Sequence, residues 1–418
     1  MNVLWITNIL LPKAAESIGL NAPVTGGWMQ SSAKAILQED KFLKLAVATV
    51  SPCVSDIKRI EKDNVIYFIL PLKGDKTKYQ KSLEPLWRRV YDNFHPDVVH
   101  LHGTEYAHGL AYQNACPKEN LVVSIQGLTS AYYYYYYGLT NWDILSNITF
   151  RDVIKQCNLW QQKWKFRQRG EIEKQILRNV NHIIGRTSWD KAHVWAINPN
   201  VEYHFCNETL RRGFYEGNWQ YDKCEPYSIF VSQAGYPIKG LHQLLKAMPL
   251  VLRQYPNAKI YVAGVDITKS DTFNDKLRLS GYGLYIKRLI KKLRLTDKIQ
   301  FTGPLDEESM LKRYLRSNVF LSPSTIENSP NSLGEAQLLG VPCIASYVGG
   351  TADLMKGNEN CLYRFEEIEM LADKICSVFG DYSFSVNLQE IAKQRHDAKV
   401  NAKRLIEIYN KICLDNEN

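Results

Sequence analysis

The sequence predicts an α/β protein made of two nucleotide-type, Rossmann-like domains. Three observations carry this reading. Short apolar runs alternate with helical patterns along most of the 418 residues. Glycines punctuate two strand-to-helix connections, at Thr25-Gly26-Gly27 and between Gly235 and Gly240, where the backbone needs to turn tightly or approach a neighbour. The stretch from Val319 to Asp353 compresses a strand, a polar loop, a helix, a second strand and a glycine pair into one unit.

The totals agree with a folded multidomain chain. A hydrophobic fraction of 45% excludes a disordered protein. No apolar run approaches the ~20 residues of a membrane span. The opening MNVLWITNIL is strand-like and has no basic segment or cleavage site, so no signal peptide is expected. Nine scattered cysteines without a C-x-x-C pair read as a reduced, cytoplasmic protein lacking structural zinc. A net charge of +9 favours anionic partners: sugar nucleotides, lipid phosphates or a membrane surface. Nucleic acid finds no motif to support it.

In chain order, Val3–Thr7 is the first strand, and a polar loop leads to Gly26 and Gly27 and a helix from Trp28 to Gln38. Strands follow at Leu45–Val50, Val65–Leu70, Val98–Leu101 and Leu121–Ile125, with a helix at Tyr79–Asn93. His100 belongs inside the sheet. His102 stands at the carboxyl edge, where such sheets bind ligands, and Gln126 follows the next strand. Tyr132–Tyr137 is a run of six tyrosines that no single element can bury, so some are exposed or covered by a partner. A helix starts at Leu159. Its Lys163, Lys165, Arg167 and Arg169 alternate with Trp164 and Phe166, a pattern that suits anionic headgroups or an ordinary solvated face. Asn181–Ser188 reads as the last strand of this domain. It places Arg186 at the cleft edge, as a ligand for a substrate or acceptor phosphate or as half of a surface ion pair.

The polar stretch Asn207–Pro226 is read as the linker between a first domain at 1–206 and a second at 227–385. The second repeats the rhythm: strand Ser228–Ser232, the loop Gln233-Ala234-Gly235-Tyr236-Pro237-Ile238-Lys239-Gly240, a helix from Leu241, strand Ala258–Gly264, a polar insert to Ser280, a basic amphipathic helix from Tyr282, strand Ile299–Gly303 and a helix Glu307–Arg316. Residues 386–418 end in a helical tail. In the organising stretch, Ser329-Pro330 reads as a helix cap with proline at the first helical position. The amides of Asn331, Ser332 and Leu333 should then be free for an anion such as a phosphate. Glu327 and Glu335 flank them. Carboxylates ligate phosphate poorly but accept well from sugar hydroxyls, which suggests a sugar on one side of a diphosphate and a ribose on the other.

The E-x7-E pair Glu327 and Glu335, with Ala336, Gly340-Val341-Pro342 and Gly349-Gly350, resembles the signature of the family 4 retaining glycosyltransferases, whose GT-B fold sets two Rossmann-like domains across a cleft. The resemblance implies that Glu327 contacts the donor sugar, Glu335 the nucleotide ribose, and Lys239 the diphosphate. It also carries over Gly26 and Gly27, and the Pro-Asp-Val-Val-His strand around His100. Two departures stand out. Gln126 replaces a histidine that would face the donor sugar, and Gln233 replaces an arginine that would grip the diphosphate. The last helix is expected to cross back to the first domain near Asn21–Gln38. The implied protein is a cytoplasmic, metal-independent hexosyltransferase without a cofactor. It would be peripheral to the inner face of the membrane, using a UDP- or GDP-linked sugar on a lipid-linked glycan acceptor for surface polysaccharide or capsule. A GT-B-like UDP-sugar epimerase or an inactive partner subunit are the alternatives.

Overall fold

The structure is a computed structural model and describes residues 1–21, 23, 26–139 and 142–415. Thr25 of the expected glycine turn lies outside the described residues. Two sheets dominate. The first has strands β1 (Asn2–Thr7), β2 (Lys44–Ser51), β3 (Lys58–Lys62), β4 (Val65–Pro71), β5 (Val98–His102), β6 (Leu121–Ser124), β7 (His182–Gly185) and β8 (Glu202–Phe205). Their spatial order is β3-β4-β2-β1-β5-β6-β7-β8. All neighbours are parallel except β3, which pairs antiparallel with β4. The second sheet has β9 (Glu225–Val231), β10 (Lys259–Val262), β11 (Ile299–Phe301), β12 (Ser317–Ser322), β13 (Cys343–Ser346) and β14 (Leu362–Tyr363), in the order β11-β10-β9-β12-β13-β14. That is the doubly wound order, with the reversal between β9 and β12.

Helices cover both faces of these sheets, which is why the strands read as continuous apolar runs. In β1, Leu4 and Ile6 enter a core with Phe68, Trp87, Val90 and Phe94. Their alternates Val3 and Trp5 enter the opposite core with Met29, Ile36, Leu405 and Tyr409. The helix Ala398–Asp415 thus packs on the helix Gly27–Glu39. Its Tyr409 hydroxyl accepts from Trp5 Nε1 at 2.9 Å and meets His100 Nδ1 at 2.6 Å.

The chain forms two compact units, neither of which is one continuous piece. Unit 1 comprises 1–131, 167–211 and the residues from 395 onward, and unit 2 comprises 132–166 and 212–394. The expected ranges differ here. The segment 132–166, placed in the first domain by sequence order, packs with the second sheet. The expected linker divides at 211/212. The tail divides at 394/395, at the last residue of the helix Gln389–Arg395 and ahead of the helix Ala398–Asp415. β8 is a further correction, because Asn181–Ser188 is not the last strand of its sheet. Glu-Tyr-His-Phe escapes a periodicity search because this edge strand is only partly buried.

Candidate functional site

The strand-order reversal between β9 and β12 sends their following loops to opposite sides and leaves a crevice at the carboxyl edge of the sheet. Both loops that border it carry residues singled out by sequence. Gly240 has φ +69°, and a Cβ there would sit 1.7 Å from the Pro323 carbonyl oxygen, so only glycine lets the two loops close. The Thr325 amide donates to the Ile238 carbonyl at 2.7 Å and pins the loops together. Across this seam Lys239 Nζ donates to Glu327 Oε1 at 2.6 Å, and Ser324 Oγ donates to the same oxygen at 2.8 Å. Glu327 is only 8% exposed. Burial pushes the Lys239 ammonium toward deprotonation, but the Glu327 carboxylate, with Tyr236 beside it, outweighs that and holds it above the usual lysine range.

Gly349 and Gly350 complete the seam. The sequence leaves open what the glycine pair approaches, and it is the Glu327 backbone. A Cβ on Gly349 would lie 1.9 Å from the Glu327 carbonyl oxygen, and the Gly350 amide donates to that oxygen at 3.0 Å. The glycines thus fix the position from which Glu327 projects.

The helix that follows spans Asn331–Leu338, with Pro330 rather than Ser329 as its cap. Leu333 corrects the expectation of three free amides, because its N–H donates to the Pro330 carbonyl at 3.0 Å as the first turn tightens. The amides of Asn331 and Ser332 open this helix, where the first turn offers them no intrahelical acceptor. Glu335 is buried within the same helix. Gln233 is exposed at the end of β9.

The segment 132–166 adds a wall to this unit. Its Gly138 carbonyl meets His242 Nε2 at 2.8 Å, and the Tyr135 carbonyl accepts from Thr325 Oγ1 at 3.2 Å. Asp152 is buried and accepts from the Gly281 amide at 2.8 Å. Beside the Gly235-Tyr236-Pro237 loop these parts enclose a cavity of about 530 Å³, lined in part by Arg151, Gln162, Asp266, Lys269 and Tyr282. Of the six tyrosines Tyr136 is buried, and Tyr134 and Tyr135 are exposed.

The remaining sequence candidates lie in unit 1. Gly26 caps the helix Gly27–Glu39 with φ +87°. His102, Gln126 and Arg186 line a small cavity of about 40 Å³ with Trp28, Ser32 and Glu208. His102 stacks on His100 with ring centroids 3.7 Å apart, and burial pushes it well below the usual histidine range. Arg186 is not a surface group. It is buried, forms an ion pair with Glu208, and donates to the Ile125 carbonyl. Its charge is committed to joining β6 to the segment after β8.

Sequence reasoning missed Glu105. The reversal point of the first sheet lies between β1 and β5, and Asn8 after β1 donates to Glu105 Oε2 after β5 at 2.7 Å. Burial, with the Glu173 charge adding, raises the Glu105 carboxyl to about 7. Arg169, expected as a headgroup cation, instead donates to the Glu105 carbonyl at 2.7 Å. Glu173 itself is buried and accepts from the Thr129 and Ser130 amides at 3.0 and 2.8 Å. No motif marks these residues, because only the fold brings them together.

Residues 215–395 match the family described as glycosyl transferases group 1. The gpi3 subunit of phosphatidylinositol N-acetylglucosaminyltransferase from Schizosaccharomyces pombe is 26% identical over 253 residues, which cover 59% of this chain and 52% of that protein. The match therefore spans about half the length of that relative. Among solved structures, sucrose-phosphate synthase from Thermosynechococcus elongatus aligns over 98% of both chains with a TM-score of 0.68 at 16% identity. HepE from Anabaena, in complex with UDP and glucose, aligns over 98% of this chain and 100% of its own with a TM-score of 0.63 at 15% identity. The fold is GT-B, and the residues that carry the resemblance, Glu327, Glu335, Gly349 and Gly350 among them, lie within the matched region.

Proposed function

We propose that this chain is a retaining glycosyltransferase. It takes a sugar from a UDP- or GDP-linked donor held by unit 2 and transfers it to a glycan acceptor, lipid-linked and presented at the inner face of the membrane, for surface polysaccharide. The observation that carries the reading is the Lys239–Glu327 pair at the reversal point of the second sheet. A diphosphate entering there competes with Glu327 for the ammonium. Lys239 and the amides of Asn331 and Ser332 then meet the charge that develops on the leaving phosphate. Glu327, released, accepts from hydroxyls of the sugar as its anomeric carbon gains positive character. Those groups supply the charge stabilisation, and the sequence contains no Asp-x-Asp cluster, so the proposed reaction runs without a metal. The leaving phosphate takes the acceptor proton on the face it departs from, so no protein nucleophile is required. Gln126 offers hydrogen bonds without charge, and Glu335 serves the ribose.

The membrane part of the reading is supported by segment 132–166. Trp142, Phe150, Val153, Ile154, Trp160 and Trp164 are all exposed there, among Lys155, Lys163 and Lys165. Aromatic and cationic side chains in one segment suit an anionic lipid surface. Among the described residues no helix is long and apolar enough to cross a membrane. The relative named for phosphatidylinositol supports a lipid acceptor, and the neighbour solved with UDP and glucose supports a nucleotide-sugar donor.

The deciding experiment incubates the protein with UDP- and GDP-sugars, with and without membrane extract, and follows release of nucleoside diphosphate. Release that depends on Glu327 and Lys239 is expected. No release from any donor would leave a partner subunit, and a changed sugar without release would indicate an epimerase.

A further inference from the structure

We propose that His182, Glu202 and His204 form a binding site for a divalent transition metal of the zinc type, which clamps the last helix to the edge of the first sheet. The inference does not depend on the proposed activity. β7 begins at His182 and β8 at Glu202, and the register pairs His182 with Glu202 and Ile184 with His204. Residues two apart on a strand share a face, so all three side chains lie on one face of the sheet. The helix Ala398–Asp415 reaches that face with Lys411 and Asp415.

The donor atoms are close to what one metal needs. Nitrogens 2.0–2.1 Å from a tetrahedral zinc stand roughly 3.3 Å apart. His182 Nδ1 and His204 Nε2 are 3.2 Å apart, and Glu202 Oε2 is 3.8 Å from His182 Nδ1. One donor atom from each of the three residues falls within 4.8 Å of the others. The remaining atoms already have partners. Lys411 binds the other Glu202 oxygen and leaves Oε2 for the metal. Asp415 Oδ2 lies 3.9 Å from His182 Nε2, where a metal-binding imidazole ordinarily directs its second nitrogen to a carboxylate. Both rings are buried, with His182 5% and His204 4% exposed.

The absence of cysteine pairs hid this site in the sequence, since its ligands are two histidines and a glutamate on neighbouring strands. The site lies at the β8 edge of the first sheet, and Lys239 and Glu327 belong to the other unit. The metal would therefore be structural, tying the last turn of the helix Ala398–Asp415 to the sheet.

The test uses the full chain without a histidine tag, stripped by chelator and titrated with Zn²⁺ by calorimetry and thermal melting. One equivalent is expected to bind and to raise Tm. Asp415→Asn should weaken binding by roughly tenfold, the scale of losing an outer carboxylate. Glu202→Gln and His204→Ala should remove stoichiometric binding, whereas Lys411→Met should retain it. Asp415→Asn and Glu202→Gln alter half-exposed groups, so the answer stands if His204→Ala fails to fold. No stoichiometric zinc on the wild-type chain, or wild-type affinity in Glu202→Gln and Asp415→Asn, would overturn the proposal. The two imidazoles would then share only an N–H···N hydrogen bond.

Discussion

Glu327 and Lys239 stabilise each other while no donor is bound, so their variants separate folding from turnover. Glu327→Ala leaves a mostly buried ammonium without its partner, and breaking such a pair costs about 3 kcal/mol. Glu327→Gln keeps a hydrogen-bond acceptor for Lys239 and Ser324 and should melt closer to wild type. Both variants should lose turnover by roughly 10²-fold or more, the scale of a removed transition-state contact. Melting curves and nucleoside diphosphate release check this; a Gln variant with full turnover removes Glu327 from the site. These two residues were legible because spacing and neighbouring glycines mark them. Glu105 was not, because its perturbed carboxyl depends on burial, with Glu173 far along the chain adding, and both arise only in the fold. A carboxyl raised to about 7 binds its proton more tightly folded than unfolded. Its contribution is therefore fully present below the ordinary carboxylate range and lost as pH rises through about 7. Glu105→Gln should flatten the fall of Tm over that window, and an unchanged pH–Tm profile would contradict the assigned ionisation.

At the scale of elements, most strands were readable because both faces of a parallel sheet are buried and their apolar runs are continuous. β8 and the cap at Pro330 were not, since an edge strand shows a weaker pattern and a proline can occupy either the cap or the first turn. The seam between the loops after β9 and β12 depends on backbone contact that no side-chain pattern announces. Gly240→Ala would place a methyl group 1.7 Å from the Pro323 oxygen at a left-handed φ. It should destabilise the protein by more than about 3 kcal/mol, read by denaturant unfolding. The short helix Phe150–Ile154 makes a different prediction. Asp152 points inward to Gly281 while Phe150, Val153 and Ile154 are exposed. Changing Trp142, Phe150 and Ile154 together to serine should abolish cosedimentation with anionic vesicles and leave Tm nearly unchanged. Retained cosedimentation would move the membrane contact elsewhere.

For the whole molecule, sequence order kept 132–166 in the first domain and returned only the tail to it, yet 132–166 belongs to the second unit. The physical reason is that the second sheet's helices leave polar groups that segment 132–166 satisfies. The Gly281 amide is bound by Asp152, His242 by the Gly138 carbonyl, and Arg288 by Asn147. A Cβ on Gly281 would lie 2.0 Å from the Asn147 carbonyl oxygen, so the surfaces meet at backbone distance. Each buried polar group left without its partner costs about 1–3 kcal/mol. Residues 212–394 expressed alone should therefore be insoluble or melt broadly, although they contain the entire second sheet and nearly all of the family match. Joining 132–166 to that fragment through a flexible linker should restore a cooperative melt. UDP or GDP should then raise its Tm, because the loops bearing Lys239 and Glu327 belong to this unit. A fragment without 132–166 that melts cooperatively and responds equally to nucleotide would show that the segment only rests on the unit and does not complete it.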